Sequence, residues 1–295
     1  KELTYVLYKA HVDSYYIAFD IPKKNGSFRH INAPTGALKT IQTVLAKKLI
    51  MQQEEIRKQK KIKANISHAF EKDKSIITNA RIHRNKRFII NLDLQDYFET
   101  FNFGRVAGFF EKNNNFKLPH EVAIIIAQIT CCNGHLPQGA PTSPVISNLI
   151  SEMLDFRLLK ISKKYHLDYT RYADDLTFST NSKSFIENNA AFFEEITAKI
   201  ESSGFKVNET ITRIVYNDSQ QIVTGLVVNK KINVPRSFYK DTRAMWYSYY
   251  KTGRFKIGEN DGTPNQLAGR FSFIDQLEFF NNYTICNDHP HNAYT

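Results

Sequence analysis

Hydrophobic and polar positions along the chain follow two different spacings, and the places where one gives way to the other outline its elements. Across residues 36–60, Leu38, Ile41, Val44, Leu45, Leu49 and Ile56 recur at helical intervals with lysines between them, which predicts an amphipathic helix. Upstream, residues 15–19 read as an extended segment running into Lys23-Lys24-Asn25-Gly26, the turn of a hairpin. Residues 87–94 form an apolar run suited to a buried strand that closes on an acid. Residues 105–130 read as helical, and a second helix is predicted to begin at Ser143-Pro144, with Ser as the N-cap and Pro in the first helical position. Two β-rich runs, 168–172 and 176–179, flank Ala173-Asp174-Asp175 and predict a hairpin with acids at its tip. An amphipathic helix over 184–202 follows, then short strands around 206–207, 213–216 and 222–228, and a helical, aromatic stretch from about Lys231. Helices mixed with a mostly antiparallel sheet indicate an α+β core.

Charge sharpens this picture. The 295 residues carry a formal +11, but residues 21–90 hold 17 basic and 4 acidic side chains, so this stretch carries +13 and the remainder −2. A basic face confined to one part of the chain suits a polyanionic partner, although a solvated lysine-rich surface has the same composition. With 42% hydrophobic residues the chain can build a proper core, which excludes intrinsic disorder. Cys131 and Cys132 are adjacent and Cys286 is distant, a pattern unlike a disulfide scaffold or a structural zinc site. The apolar run at 122–129 is too short to span a bilayer. The expectation is a cytoplasmic protein with no membrane partner.

The chemistry-bearing candidates are acids in apolar company. Asp93 ends the predicted central strand, and Asp174 and Asp175 sit together between two apolar runs. Alone, an Asp-Asp pair at a turn is ordinary turn chemistry. Carboxylates gathered in a half-buried place repel one another and raise each other's pKa unless a cation neutralises them. Hard oxygen ligands suit Mg²⁺, and three converging carboxylates could hold two ions in the arrangement used for phosphoryl transfer.

Three blocks taken together go further. Asn91-Leu92-Asp93-Leu94-Gln95-Asp96-Tyr97-Phe98, then Leu136-Pro137-Gln138-Gly139-Ala140-Pro141-Thr142-Ser143-Pro144, then Tyr172-Ala173-Asp174-Asp175 closely resemble the reverse transcriptases in content, order and spacing. The resemblance implies a right-hand polymerase fold, with fingers and an antiparallel-sheet palm over residues 1–228 and a helical thumb over 229–295. It implies that Asp93, Asp174 and Asp175 are the catalytic acids and bind two Mg²⁺ ions. Phe98 matches the steric gate that selects deoxynucleotides, and Gln138 and Gly139 match the loop against the incoming nucleotide. Lys23, Lys24 and Arg29 match the finger hairpin whose cations hold the triphosphate.

A narrower resemblance is to the retron enzymes. Asn79-Ala80-Arg81-Ile82-His83 fits their NAxxH signature and Val223-Thr224-Gly225 their VTG signature. RNA contact is the role expected for Asn79, His83, Val223, Thr224 and Gly225. The same role is expected for Lys240 and Arg243, which lie among the thumb's aromatic residues. An amphipathic helix with an aromatic core face is the plainer reading of Trp246. Retron membership implies an RNA-directed DNA polymerase that copies part of a cognate structured noncoding RNA into single-stranded DNA, leaving branched msDNA. The implied partners are that RNA, its DNA product, dNTPs and an effector protein of an antiphage defence system. The alternatives are another bacterial reverse transcriptase, intron-encoded or of a different defence type, or a catalytically weak RNA-binding scaffold. One departure stands out: where many relatives carry a lysine that protonates the leaving pyrophosphate, this chain has Thr210 and Ile211, leaving Arg213, Lys206 or water for the task.

Overall fold

A short helix, α1 (Glu2–Tyr8), precedes a hairpin of β1 (Tyr16–Pro22) and β2 (Phe28–Pro34), paired from Tyr16↔Pro34 to Pro22↔Phe28. The computed structural model describes residues 2–8, 12–23, 26–62, 66–208 and 212–288. Helix α2 (Gly36–Lys60) matches the predicted bounds and buries Leu38, Ala46, Leu49 and Ile56. It stops at Lys61, whose left-handed backbone (φ 53°) turns its N–H back to the carbonyls of Arg57 and Lys58. A capping box between Ser75 and Thr78 starts α3 (Ile76–Ile82), and strand β3 (Phe88–Asp93) follows.

The helix expected across 105–130 is two helices, α4 (Phe103–Lys112) and α5 (His120–Thr130). The first helix ends at Asn113, whose backbone is extended, within the run Asn113-Asn114-Asn115 of poor helix formers, and Pro119 caps the start of the second. The next helix, α6 (Ser143–Lys164), starts one residue earlier than predicted. Thr142 is its N-cap and makes no side-chain capping bond, and Ser143 lies inside the helix, buried. The tight turn that sends the Ser143 N–H to the Ala140 carbonyl brings the backbone into helical geometry early.

Strands β4 (Asp168–Tyr172) and β5 (Asp175–Thr180) form the predicted hairpin, followed by α7 (Phe185–Glu201) and β6 (Arg213–Tyr216). Residues 222–228 do not make one strand. They fold back as β7 (Ile222–Val223) and β8 (Leu226–Val227) around Thr224 and Gly225, both at positive φ (47° and 83°), a type I′ geometry. Helix α8 (Arg236–Thr252), a small hairpin of β9 (Lys256–Ile257) and β10 (Asn260–Asp261), and α9 (Pro264–Asp288) complete the described chain.

Four strands form one antiparallel sheet in the order β4-β5-β3-β6. The apolar run of β3 is explained by burial on both faces. Ile90 and Leu92 enter the main core with Leu149, Leu154 and Leu158 of α6 and Phe192 and Ile196 of α7. Ile89 points the other way, into a second cluster with Ile77 and Ala80 of α3, Val223, Leu226 and Val228, and Ile274 and Leu277 of α9. That second cluster runs across residues 228 and 232, where the palm and thumb were expected to part. Cys131 and Cys132 are buried free thiols, and among the described residues no helix is long and apolar enough to cross a membrane.

Candidate active site

The sheet register brings the acids together. Antiparallel pairing of β3 with β5 sets Asp93 directly opposite Asp175. Asp174 belongs to the two-residue turn joining β4 to β5, because Tyr172 pairs with Asp175. Ala173, the other turn residue, is held at φ 57°, a left-handed conformation that an L-residue adopts at some cost. The Leu94 N–H donates to the Asp174 carbonyl at 3.0 Å, tying the strand end to the tip. From the opposite side, Asn208 donates its backbone N–H to the Asp93 carbonyl (2.8 Å) and its amide to Asp93 Oδ2 (3.3 Å).

Burial raises all three acids, and for Asp93 and Asp175 the neighbouring carboxylates add to it. Loss of hydration and the neighbouring Asp174 push Asp93 up to about 6, against the lowering effect of the Asn208 bond. Asp175 is pushed up to about 7 by loss of hydration, then by Asp174 and Asp93. Its side chain still reaches solvent, so part of that penalty is screened. Asp174 is raised by burial, while a backbone hydrogen bond and the cations Arg29, Arg171 and Lys23 pull it back. Lys23 and Arg29 thus act on the acids across the cleft from the β1–β2 hairpin. Lys24 lies outside the described residues.

Among the described residues no three His, Cys, Asp or Glu side chains converge into a ready-made metal cage. The donor set nonetheless fits magnesium, which takes one or two carboxylates and completes its shell with water and substrate phosphates. The raised acids supply hard oxygens that a divalent cation would hold ionised.

The neighbouring loops pack on the β1–β2 hairpin and on one another. Gln138 accepts a hydrogen bond from the Asn32 N–H at its carbonyl (2.8 Å), docking the 136–143 loop under β2. Gly139 is at φ 112°, and a Cβ there would lie 2.8 Å from Ile31 Cγ2 and 3.2 Å from the Asn32 carbonyl oxygen. Glycine is required at this contact. Gly139→Ala is expected to cost about 1–3 kcal/mol and lower Tm by several degrees in a thermal melt. Phe98 is half-buried in the turn after β3, with its ring edge-on to Tyr97 at 5.4 Å. The Leu136 N–H donates to the Phe101 carbonyl, so the Phe98 turn and the Gln138 loop are joined.

The signature residues divide by exposure. Asn79 and His83 are fully buried and offer RNA no surface, so the expected direct contact does not fit their placement. His83 spends both ring nitrogens inside the sheet, on Ser179 Oγ and Thr170 Oγ1, each at 2.7 Å. Val223 is core as well, whereas Gly225 is exposed, and the Thr224 hydroxyl donates to the Ile76 carbonyl at the start of α3. The two signatures are therefore packed against each other. On α8, Lys240 and Arg243 are exposed. Trp246 is not core: it is 43% exposed and stacks on Tyr250 at 5.0 Å. Beside them a groove of about 560 Å³ between α8 and α9 is lined by Tyr239, Arg243, Trp246 and Tyr247. Thr210 and Ile211 lie outside the described residues. Lys206 is exposed, its carbonyl accepting from the Gln95 N–H, and Arg213 is exposed opposite Asn91.

Residues 21–240 match the family model described as reverse transcriptase (RNA-dependent DNA polymerase). The chain is 34% identical over 235 residues to the retron Ec86 reverse transcriptase of Escherichia coli, covering 79% of this chain and 69% of that one. It is 30% identical over 307 residues to the retron Mx162 reverse transcriptase of Myxococcus xanthus, covering 94% and 61%. The chain belongs to the retron reverse transcriptases. In this family's terms the four-stranded antiparallel sheet is the palm. Among solved structures, telomerase from Candida albicans superposes with a TM-score of 0.53 at 14% identity, covering 79% of this chain and 50% of the other. Apo telomerase from Candida tropicalis, truncated from its C-terminal domain, gives 0.52 at 14%, covering 75% and 55%. Likeness at this identity concerns the fold, a right-hand polymerase.

Asn208, Arg171 and Asp155 were not singled out from the sequence. Asn208 carries no local signal. Arg171 sits directly before the Tyr172–Asp175 block, but only its burial distinguishes it from a surface cation.

Proposed function

We propose that this protein is an RNA-directed DNA polymerase that copies part of a cognate structured noncoding RNA into single-stranded DNA and leaves branched msDNA. The carrying observation is the pairing of Asp93 with Asp175, beside the Asp174 tip, under the cations of the β1–β2 hairpin. Residues 1–228 serve as fingers and palm and 229–295 as thumb.

In this reading Asp93, Asp174 and Asp175 hold two magnesium ions, which would neutralise charge on the attacking and leaving oxygens. The chain's own residues do the rest. Lys23, Lys24 and Arg29 bind the triphosphate of the incoming dNTP. Gln138 and Gly139 form the wall on which its base and the template lie, a wall that Gly139 allows to pack close against β2. Phe98 closes the space beneath C2′ of the sugar. The exposed Lys240 and Arg243, with Trp246 and Tyr250, bind RNA or the template–product strands by phosphate contact and stacking. The likeness to named retron enzymes supports a cytoplasmic role in antiphage defence with an effector protein. Sequencing the nucleic acid that copurifies tests this directly: a single compact transcript covalently joined to DNA is expected, and a large intron RNA would refute it.

Phe98→Ala is expected to admit ribonucleotides. The dNTP/rNTP ratio of kcat/KM should fall by about 10²-fold or more, since removing a clash worth about 3 kcal/mol changes a rate ratio by that much. Single-nucleotide extension with dGTP and GTP measures it, and an unchanged ratio would remove Phe98 from the sugar site.

A further inference from the structure

The least exposed cation of the palm enters above only as a charge that pulls Asp174 back. Arg171 is fully buried on β4, two residues before Ala173. All three of its guanidinium nitrogens are engaged. Nε and Nη2 donate to Asp155 Oδ1 and Oδ2, both at 2.8 Å, in a two-point fork. Nη1 donates to the Tyr97 hydroxyl (3.1 Å), to Asn148 Oδ1 (3.1 Å) and to the Ala173 carbonyl (3.2 Å). Each acceptor is anchored in turn. Asp155 also accepts from the Tyr169 hydroxyl (3.0 Å), Tyr97 bonds Ser151 Oγ (2.9 Å), and the Asn148 amide donates to the Ala69 carbonyl (2.8 Å). The Arg171 backbone is clamped as well, its N–H on Ile66 O and its carbonyl on the His68 N–H.

Two of these contacts lie one residue from groups assigned above. Ala173 precedes Asp174 and sits in a strained left-handed turn, and Tyr97 precedes Phe98. The same nitrogen, Nη1, therefore holds the acidic tip and the sugar wall. A buried ion pair is weak evidence for stability, because apolar residues of similar volume often replace one without loss. Apolar residues cannot supply directed bonds that fix two separate loops against each other. Lysine cannot supply the planar fork either.

We infer that Arg171, oriented by Asp155, is a positioning residue that sets the acidic tip and the Phe98 wall at their working separation, and so governs both turnover and sugar selection. The inference rests on the polymerase reading above. The test starts from wild-type protein that extends a primer on an RNA template, and lack of extension there would fault that reading instead. Against this reference, Arg171→Met/Asp155→Leu removes the pair without stranding a charge. Because it leaves the Tyr169 hydroxyl and the Ala173 carbonyl without these partners, it is expected to melt several degrees below wild type and to bind template–primer unchanged. Its kcat for dNTP should fall about tenfold or more, and its dNTP/rNTP discrimination should fall at least severalfold. A folded double variant with wild-type kcat and discrimination overturns the inference. Should that variant not fold, Tyr97→Phe decides. It removes one arm of the network, and discrimination is expected to drop while the protein stays folded; an unchanged ratio overturns the inference.

Discussion

Asp174→Asn is expected to lose DNA synthesis by at least about 10³-fold in a single-turnover extension assay. Removing one donor that stabilises transition-state charge already costs about 10²–10³, and this substitution also weakens a cation site. The same variant carries a second signature that a mere folding defect would not produce. Asp93 and Asp175 have folded-state pKa values of about 6 and 7, above the ordinary carboxylate value of 3.8. The native state therefore binds protons more tightly than the unfolded chain. The stability this contributes is fully present below pH 4 and is lost as pH rises through 6 and 7. At pH 8 without divalent cations, the ionised acids work against folding. Replacing Asp174 with Asn removes one repelling charge. Tm in EDTA should rise by about 2–4 °C, screening at the open cleft limiting the gain to about 1 kcal/mol. Magnesium should raise Tm of the wild type more than that of the variant. Extension within tenfold of wild type would show that these acids are not the catalytic centre.

Acid should unfold the protein through His83. Burial, followed by the charges of Lys86 and His68, lowers this imidazole from 6.5 to about 3. The unfolded chain takes up a proton below pH 6.5 that the native state refuses until about pH 3. Stability from this group is thus present above 6.5 and drains away as pH falls across that window. The ceiling is about 4–5 kcal/mol at about 1.4 kcal/mol per pH unit, large against the total stability of a domain. The triad acids act in the opposite sense over part of the same range, so a difference measurement is needed. His83→Asn keeps polar atoms near Ser179 and Thr170 but cannot titrate. In urea unfolding it should be less stable than wild type at pH 7.5. The gap should close by about 1.4 kcal/mol per unit between pH 6 and 3.5. Parallel curves would mean that His83 titrates normally and that its burial has been misjudged.

The retron signatures acquire a physical meaning from this. His83 locks the end of α3 to β4 and β5 from inside the sheet. Thr224 turns the β7–β8 hairpin and bonds the start of the same helix. The motif residues build the platform on which α3, that hairpin and α9 meet, and they are mostly enclosed by it. The sequence pattern marked them as a pair, but it could not distinguish a contact with RNA from a contact with each other. Both uses select the same residue types at the same spacing.

Other elements divide along the same line. The bounds of helix α2 were legible in the sequence, but its buried face takes in Gln42 and Gln53 and leaves Val44 of the apolar stripe exposed. The 105–130 segment reads as one helix only if the polar run Asn113-Asn114-Asn115 is taken for a solvated face, whereas Asn113 turns extended and Pro119 starts a new helix. Residues 222–228 looked like one strand because Thr224 is a good strand former. Its positive φ comes from the hairpin's packing against α3 and not from any preference of threonine.

By itself the amino-acid order determined the family, the three acids, the elements that carry them and the basic bias of the first ninety residues. These are local or near-local properties, written in residue type and spacing. Tertiary structure alone decided which strand faces Asp93, that Asn208 holds it, and that Gly139 must be bare against Ile31 and Asn32. It also decided that Arg171 is interior and bonds both the Ala173 turn and Tyr97. Such facts depend on the meeting of residues tens of positions apart, and a cation's burial is set by what the rest of the chain packs around it.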